Sequence, residues 1–278
     1  MSTKNMSTKT IPAPLDGKVA LVTGGSRGIG RGIAIHFVVK GISKIAITYN
    51  GNAAAAEETL AEIRKVNPNT TARAIRADVL SPTFASDLVP WVLQDLSTAR
   101  IDVVVCNAAY LNPSIVAPIA STTKELFDNL MTGNAWAPVQ LFLSALPYIP
   151  RGGRVIMIGS SASRTPNADP AVCYGASKAA LDSFTRSLAL IFSAPHGITV
   201  NSVSAGPVMT DLLKVPLEQG LLPDDFIAGL ASRNTAEKRM GEVDDIAGIV
   251  AFLASDESRW INGNNVPANG GALLEAQG

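Results

Sequence analysis

An α/β fold built on one doubly wound parallel sheet is predicted by three observations. Short β-rich runs alternate with longer helical stretches, a glycine-rich turn follows the first of those runs directly, and the composition is aliphatic rather than aromatic. Hydrophobic residues make up 47% of the 278 and aromatic ones 5%, the Val/Ile/Ala-rich balance of strands buried on both faces. Alternating strand and helix require parallel strands joined by right-handed crossovers, with ligand bound at the carboxyl ends of the strands. A chain of this length buries a full core as one large domain.

In chain order, the strands are expected at Lys18 to Thr23, Ile45 to Tyr49, Ala72 to Ala77, Ile101 to Cys106, Arg154 to Gly159 and Thr199 to Ser204. Each is a short apolar or alternating run between turn formers. Helical periodicity fills the intervals at Ile29 to Lys40, Ala53 to Val66, Thr83 to Leu96, Thr123 to Leu146 and Val172 to Phe192. After Ser204 the alternation breaks. Gly206 to Asn234 carries Pro207, Pro216, Gly220 and Pro223 among apolar residues, which predicts a partly helical excursion of the kind that forms substrate lids, bounded at about 206–235. A helix at Val243 to Ala254 and a strand around Asn265 to Ala268 then close the sheet.

Lys plus Arg equals Asp plus Glu at 23 each and no basic run exceeds two residues, so the electrostatic footprint of a nucleic-acid binder is missing. Cys106 and Cys173 show neither pairing nor metal-ligand spacing, which suits a reducing compartment and makes the cytosol the expected location. Residues 1–14 are polar and proline-punctuated, without the apolar centre of a secretory signal, and are expected to be a flexible leader to a domain over 15–278. The most apolar helical stretch, Ile246 to Ala254, is too short to span a bilayer.

The chemistry is carried by two motifs. Thr23-Gly24-Gly25-Ser26-Arg27-Gly28-Ile29-Gly30 joins the first strand to the first helix, where glycines let the backbone approach a pyrophosphate and the helix start offers free amides. Tyr174-Gly175-Ala176-Ser177-Lys178 sets a phenol and an ammonium group four residues apart on one helix face. A phenol titrates near pH ~10, and a neighbouring cation that favours phenolate is expected to bring it towards neutrality.

With Asn107-Ala108-Ala109 after the fourth strand, these motifs resemble the short-chain dehydrogenase/reductase family from about Leu15 to Leu274. The resemblance is closest to fungal polyketide-type ketoreductases, such as hydroxynaphthalene and versicolorin reductases. It runs through Thr48-Tyr49-Asn50, Ala56-Glu57-Glu58 and Gly206-Pro207-Val208-Met209-Thr210-Asp211. It implies a Rossmann-type sheet, an NADPH cofactor and hydride transfer to the carbonyl of a bulky secondary-metabolite ketone. Gly24, Ser26, Arg27, Gly28, Ile29 and Gly30 then cradle the pyrophosphate. Asp78 and Val79 hold the adenine edge, Asn107 and Ala108 flank the cofactor, and Val208 and Thr210 meet the carboxamide.

NADPH rather than NADH follows from the end of the second strand, where Tyr49, Asn50 and Asn52 stand and no carboxylate repels a 2′-phosphate. Arg27 is within reach of that phosphate. In the catalytic set the resemblance implies, Ser160 and Tyr174 bond the developing oxyanion and Tyr174 gives up its proton. Lys178 binds the nicotinamide ribose, and Asn134 bends its helix and holds a water behind Lys178. Strand register selects Ser160, whereas counting thirteen residues back from Tyr174 gives Ser161. Two positions depart from the family pattern. Asn-Ala-Gly reads Asn107-Ala108-Ala109, and Pro-Gly before the lid reads Ala205-Gly206, which is expected to loosen the backbone there because alanine does not fix φ.

His36 and His196 read as structural, the latter in a Pro195-His196-Gly197 turn, and Cys173 as a packed small hydrophobe. Asp169 reads first as a solvated loop carboxylate and second as a group that stabilises a cationic substrate, which motivates a rival function in C=N reduction coupled to cyclisation. A nucleotide-binding regulator without chemistry is a further rival. The resemblance also implies a homotetramer paired through the helices at Thr123 to Leu146 and Val172 to Phe192. Their apolar stripe comprises Leu126, Leu130, Trp136, Val139, Leu143, Leu181, Phe184, Leu188 and Ile191, and a second interface falls at Asn269-Gly270-Gly271.

Overall fold

The computed structural model describes residues 13–111, 118–167, 169–220 and 225–274. Most of the expected leader, and Pro223 within the lid, lie outside the described residues. Seven parallel strands form one sheet in the order β3-β2-β1-β4-β5-β6-β7. They are β1 (Val19–Val22), β2 (Lys44–Tyr49), β3 (Thr71–Arg76), β4 (Val103–Cys106), β5 (Arg154–Ile158), β6 (Thr199–Ala205) and β7 (Asn265–Ala268). The order reverses between β1 and β4, and the crevice beyond the carboxyl ends of those two strands is where such a sheet binds ligand.

Alternate residues of each strand feed two cores. On one face Ala20 and Val22 of β1 pack with Phe37 of α1 (Gly28–Val39), Ile63 of α2 (Ala53–Val66) and Ile246 of α9 (Val243–Ala254). On the other, Val19 and Leu21 meet Leu88 of α3 (Phe84–Asp95), Phe142 of α5 (Ala137–Ala145) and Leu181 of α6 (Val172–His196). The central strands β1, β4, β5 and β6 are buried along their whole length, as parallel strands covered twice must be. The edge strand β3 buries only two of its six residues, and its weaker pattern explains why its expected bounds were one residue late.

Two helices differ from expectation. Thr123 to Leu146 is not one α-helix but α4 (Lys124–Met131), a π-helical turn at Thr132–Trp136, and α5. The extra residue in that turn is the distortion that Gly133 and Asn134 foreshadowed. α6 continues to His196 and ends at Gly197, whose φ of +66° forms the left-handed cap, so His196 closes the helix instead of lying in a turn. The lid holds two short helices, α7 (Asp211–Glu218) and α8 (Phe226–Ala231). Among the described residues no helix is long and apolar enough to cross a membrane.

Candidate active site

The glycine turn is built for close approach. A Cβ on Gly30 would lie 2.2 Å from the Gly24 carbonyl oxygen and 2.5 Å from Asn107 Nδ2, so no side chain fits between the turn and β4. Asn107 fills that space from the other side, donating from Nδ2 to the carbonyls of Thr23 and Gly24 at 2.9 and 3.1 Å. Thr23 Oγ1 accepts from the amides of Asn107 and Ala108, both at 3.0 Å, and Thr48 Oγ1 accepts from the Gly24 amide at 3.0 Å. α1 starts at Gly28 with no side-chain cap from Arg27, which leaves its first amides free for an anion.

These groups open onto a cavity of about 840 Å³. Its wall includes the glycine turn, Tyr49, Asn50 and Asn52 after β2, Asp78 and Val79 after β3, Ala108, Val208 and Thr210, and at the far end Ser160, Ser161, Tyr174 and Lys178. The sequence-predicted residues thus converge on one space, except Asn134, which is 0% exposed and lies behind it. Two polar members have a local duty as well. Asn52 Oδ1 caps α2 through the Ala55 amide at 3.0 Å, and Asp78 Oδ1 accepts from the Leu80 amide at 2.9 Å.

Ser160 is the serine whose side chain acts on the Tyr174 phenol, and Ser161 is the first residue of the 3₁₀ turn that Ser160 caps. Burial raises the Tyr174 phenol and the Ser160 bond opposes that rise. Of the two influences burial is the larger, and the group keeps its proton at neutral pH. Lys178 Nζ lies 5.9 Å from the Tyr174 ring centroid and donates to the Ile158 carbonyl at 2.8 Å. Burial lowers it to about 8, against the charge of Asp182.

Asn134 does not face the cavity. Its Oδ1 accepts from the Tyr110 amide at 2.7 Å, and its Nδ2 donates to the Tyr110 carbonyl at 3.2 Å and to Ser177 Oγ at 3.1 Å. Ser177 Oγ in turn donates to the Tyr174 carbonyl at 2.7 Å. The π turn therefore latches the loop after β4 to the helix turn that carries Tyr174.

The fold and these motifs agree with comparisons to known proteins. Residues 24–272 match the family model described as enoyl-(acyl carrier protein) reductase. The chain is 49% identical to the short chain dehydrogenase asqE of Emericella nidulans, covering 94% of this chain and 95% of that one. The chain belongs to the short-chain dehydrogenase/reductase family. It is also 34% identical to a hydroxynaphthalene reductase-like protein, Arp2, of Metarhizium acridum, over 96% of this chain and 99% of that one. Among solved structures, the angucycline C-6 ketoreductase LanV with bound NADP superposes with a TM-score of 0.83 at 33% identity, covering 95% of this chain and 98% of that one.

Within this short-chain dehydrogenase/reductase, one expectation is corrected and one loop carboxylate is placed. Asp169 is exposed, and its Oδ1 accepts from the Ile119 amide at 2.9 Å. It fastens the segment after β4 to the loop after β5. The Ala205-Gly206 step is not loose. β6 runs through Ala205, the Gly206 amide donates to the Ala268 carbonyl at 2.9 Å, and Val208 pairs with Gly241, so ladder bonds hold what proline holds elsewhere.

His36 pairs with Asp244 at 3.1 Å between α1 and α9, a structural contact as expected. Sequence reasoning missed Thr23, Thr48, Ser163, Ser177 and Asp182. For Asp182 the available signal was a charged residue next to a core position, Leu181.

Proposed function

We propose that this enzyme reduces a carbonyl group on a bulky, secondary-metabolite-type ketone with NADPH. The observation that carries the reading is the convergence of an uncapped helix start and the Ser160–Tyr174 pair on one cavity of about 840 Å³, a size within the range of small-molecule and cofactor sites. The residues present fit the cofactor. The glycine turn excludes side chains where a pyrophosphate approaches, no carboxylate stands among Tyr49, Asn50 and Asn52, and Arg27 is exposed on the cavity wall. Bound there, NADPH supplies the hydride.

Ser160 and Tyr174 donate hydrogen bonds to the carbonyl oxygen, and the protonated Tyr174 releases its proton to it as charge develops. Lys178 would hold the cofactor ribose with the ammonium hydrogens that the Ile158 carbonyl leaves free. Asn134 fixes the height of Tyr174 through Ser177, and Val208 and Thr210, at the root of the lid, border the carboxamide. Asp78 and Val79 line the adenine end. The names of the ketoreductase relatives support the substrate class. Buried free thiols at Cys106 and Cys173 support a cytosolic enzyme, and the exposed apolar residues of α5 and α6 support a homotetramer.

The test is a panel of aromatic polycyclic ketones and matched cyclic imines, followed by NADPH consumption and product analysis. Alcohol formation from ketones is expected. Reduction confined to imines, or tight NADPH binding with no turnover across the panel, overturns the reading.

A further inference from the structure

Asp182 is a buried carboxylate that the reaction above leaves unused. It lies four residues beyond Lys178 on α6, one turn along the same face, and is 4% exposed. Its Oδ2 accepts from Ser163 Oγ at 2.6 Å and its Oδ1 from Ser202 Oγ at 3.1 Å. Ser163 ends the 3₁₀ turn that Ser160 caps, and Ser202 lies on β6 opposite Met157 of β5. One side chain therefore joins the helix of Tyr174 and Lys178, the turn of Ser160, and the strand beneath both. Gly159 leaves it room, since a Cβ there would stand 3.1 Å from Asp182 Oδ1.

We propose that Asp182 is a positioning residue whose carboxylate locks the Ser160 turn onto α6 and supplies the counter-charge that keeps Lys178 an ammonium ion. The proposal rests on the assignment of Ser160, Tyr174 and Lys178 to carbonyl reduction. Carboxylates this deeply buried are rare without a compensating partner, and here the partners are two hydroxyls that both belong to the site's framework.

Burial drives Lys178 down to about 8, and Asp182 is the larger of two groups that resist. The other is Cys106 on β4, whose thiol burial itself pushes up to about 12. Tyr174 on α6 is the remaining titratable neighbour described, and β5 presents the Ile158 carbonyl.

Asp182→Asn keeps the size and one acceptor oxygen, replaces the other with a donor amide, and removes the charge. Competitive labelling of the intact protein with acetic anhydride across pH, read at Lys178 by mass spectrometry, follows the ammonium group without turnover. The Lys178 midpoint is expected to fall by about one pH unit relative to the wild type. The alkaline limb of ketone reduction moves the same way. Ser163→Ala keeps the charge and cuts the lock, so kcat drops about tenfold while the Lys178 midpoint stays.

An unmoved Lys178 midpoint in folded Asp182→Asn overturns the counter-charge, and an undiminished kcat in Ser163→Ala overturns the lock. Asp182→Ser carries the charge measurement if the asparagine variant does not fold. A wild type that reduces no ketone sinks the functional reading while the labelling result still reads Asp182 directly.

Discussion

At the scale of single residues, the site separates proton delivery from cofactor binding. Tyr174 holds its proton because burial raises it, so its phenol hydrogen is the part a phenylalanine lacks. Positioned proton transfer is worth about 10²–10⁴ in rate, and Tyr174→Phe is expected to lose at least that much kcat while NADPH affinity, titrated by fluorescence, changes little. A near-native rate in that variant means another group is the acid. Arg27 supports a different function. Exposed on the cavity wall beside uncharged Tyr49 and Asn50, it is the cation expected to bond a 2′-phosphate. Hydrogen bonds to charged groups are worth about 1.5–3 kcal/mol, so Arg27→Ala should cost roughly tenfold or more in kcat/KM with NADPH and leave the value with NADH unchanged. Equal losses with both cofactors would show that Arg27 does not read the phosphate.

At the scale of elements, the turn between β1 and α1 has no slack. A Cβ on Gly30 would meet the Gly24 carbonyl and the Asn107 amide, both held by other bonds, and overpacking of this kind costs about 1–3 kcal/mol. Gly30→Ala is expected to lower stability by about that amount in urea titration and to weaken NADPH binding more than tenfold; unchanged affinity would mean that the turn reshapes freely. This turn was legible in the sequence because everything that defines it lies within eight consecutive residues after a strand, and the Tyr174/Lys178 pair was legible for the same local reason. The π turn announced itself through Gly133 and Asn134, although not its bounds. What stayed hidden depends on pairings made across the fold. Asp169 finds its partner 50 residues away at Ile119, and Asp182 reaches 19 and 20 residues either way to Ser163 and Ser202. No local pattern marks such contacts, so a buried carboxylate was passed over.

At the scale of the whole molecule, alternation of strand and helix sufficed for the sheet, because a parallel order with helices on both faces is the one arrangement that buries every such strand. The apolar stripe on the helices was less decisive. Leu130, Val139, Leu181 and Leu188 pack inside their own subunit, so part of the excess that suggested assembly belongs to the core. Other members of the stripe are on the surface: Trp136 is 46% exposed, Leu143 41% and Ile191 58%, and Leu190, outside the stripe, is 85% exposed. Trp136 stacks near Phe184, with ring centroids 6.5 Å apart, and bridges the two helices into one face. We propose that these exposed residues form an interaction surface, since a self-complementary apolar patch pairs two copies isologously. Leu274, 77% exposed, lies beside Gly271, where the proposed dimer of dimers would make its second contact. Light scattering at micromolar concentration is therefore expected to return four times the 29.0 kDa chain mass. The paired change Leu190→Glu with Ile191→Glu, at positions that touch no core, is expected to lower that mass without unfolding the chain. A wild-type mass of one chain refutes the assembly, and a dimer that survives the paired change shows that the helix face is not the interface.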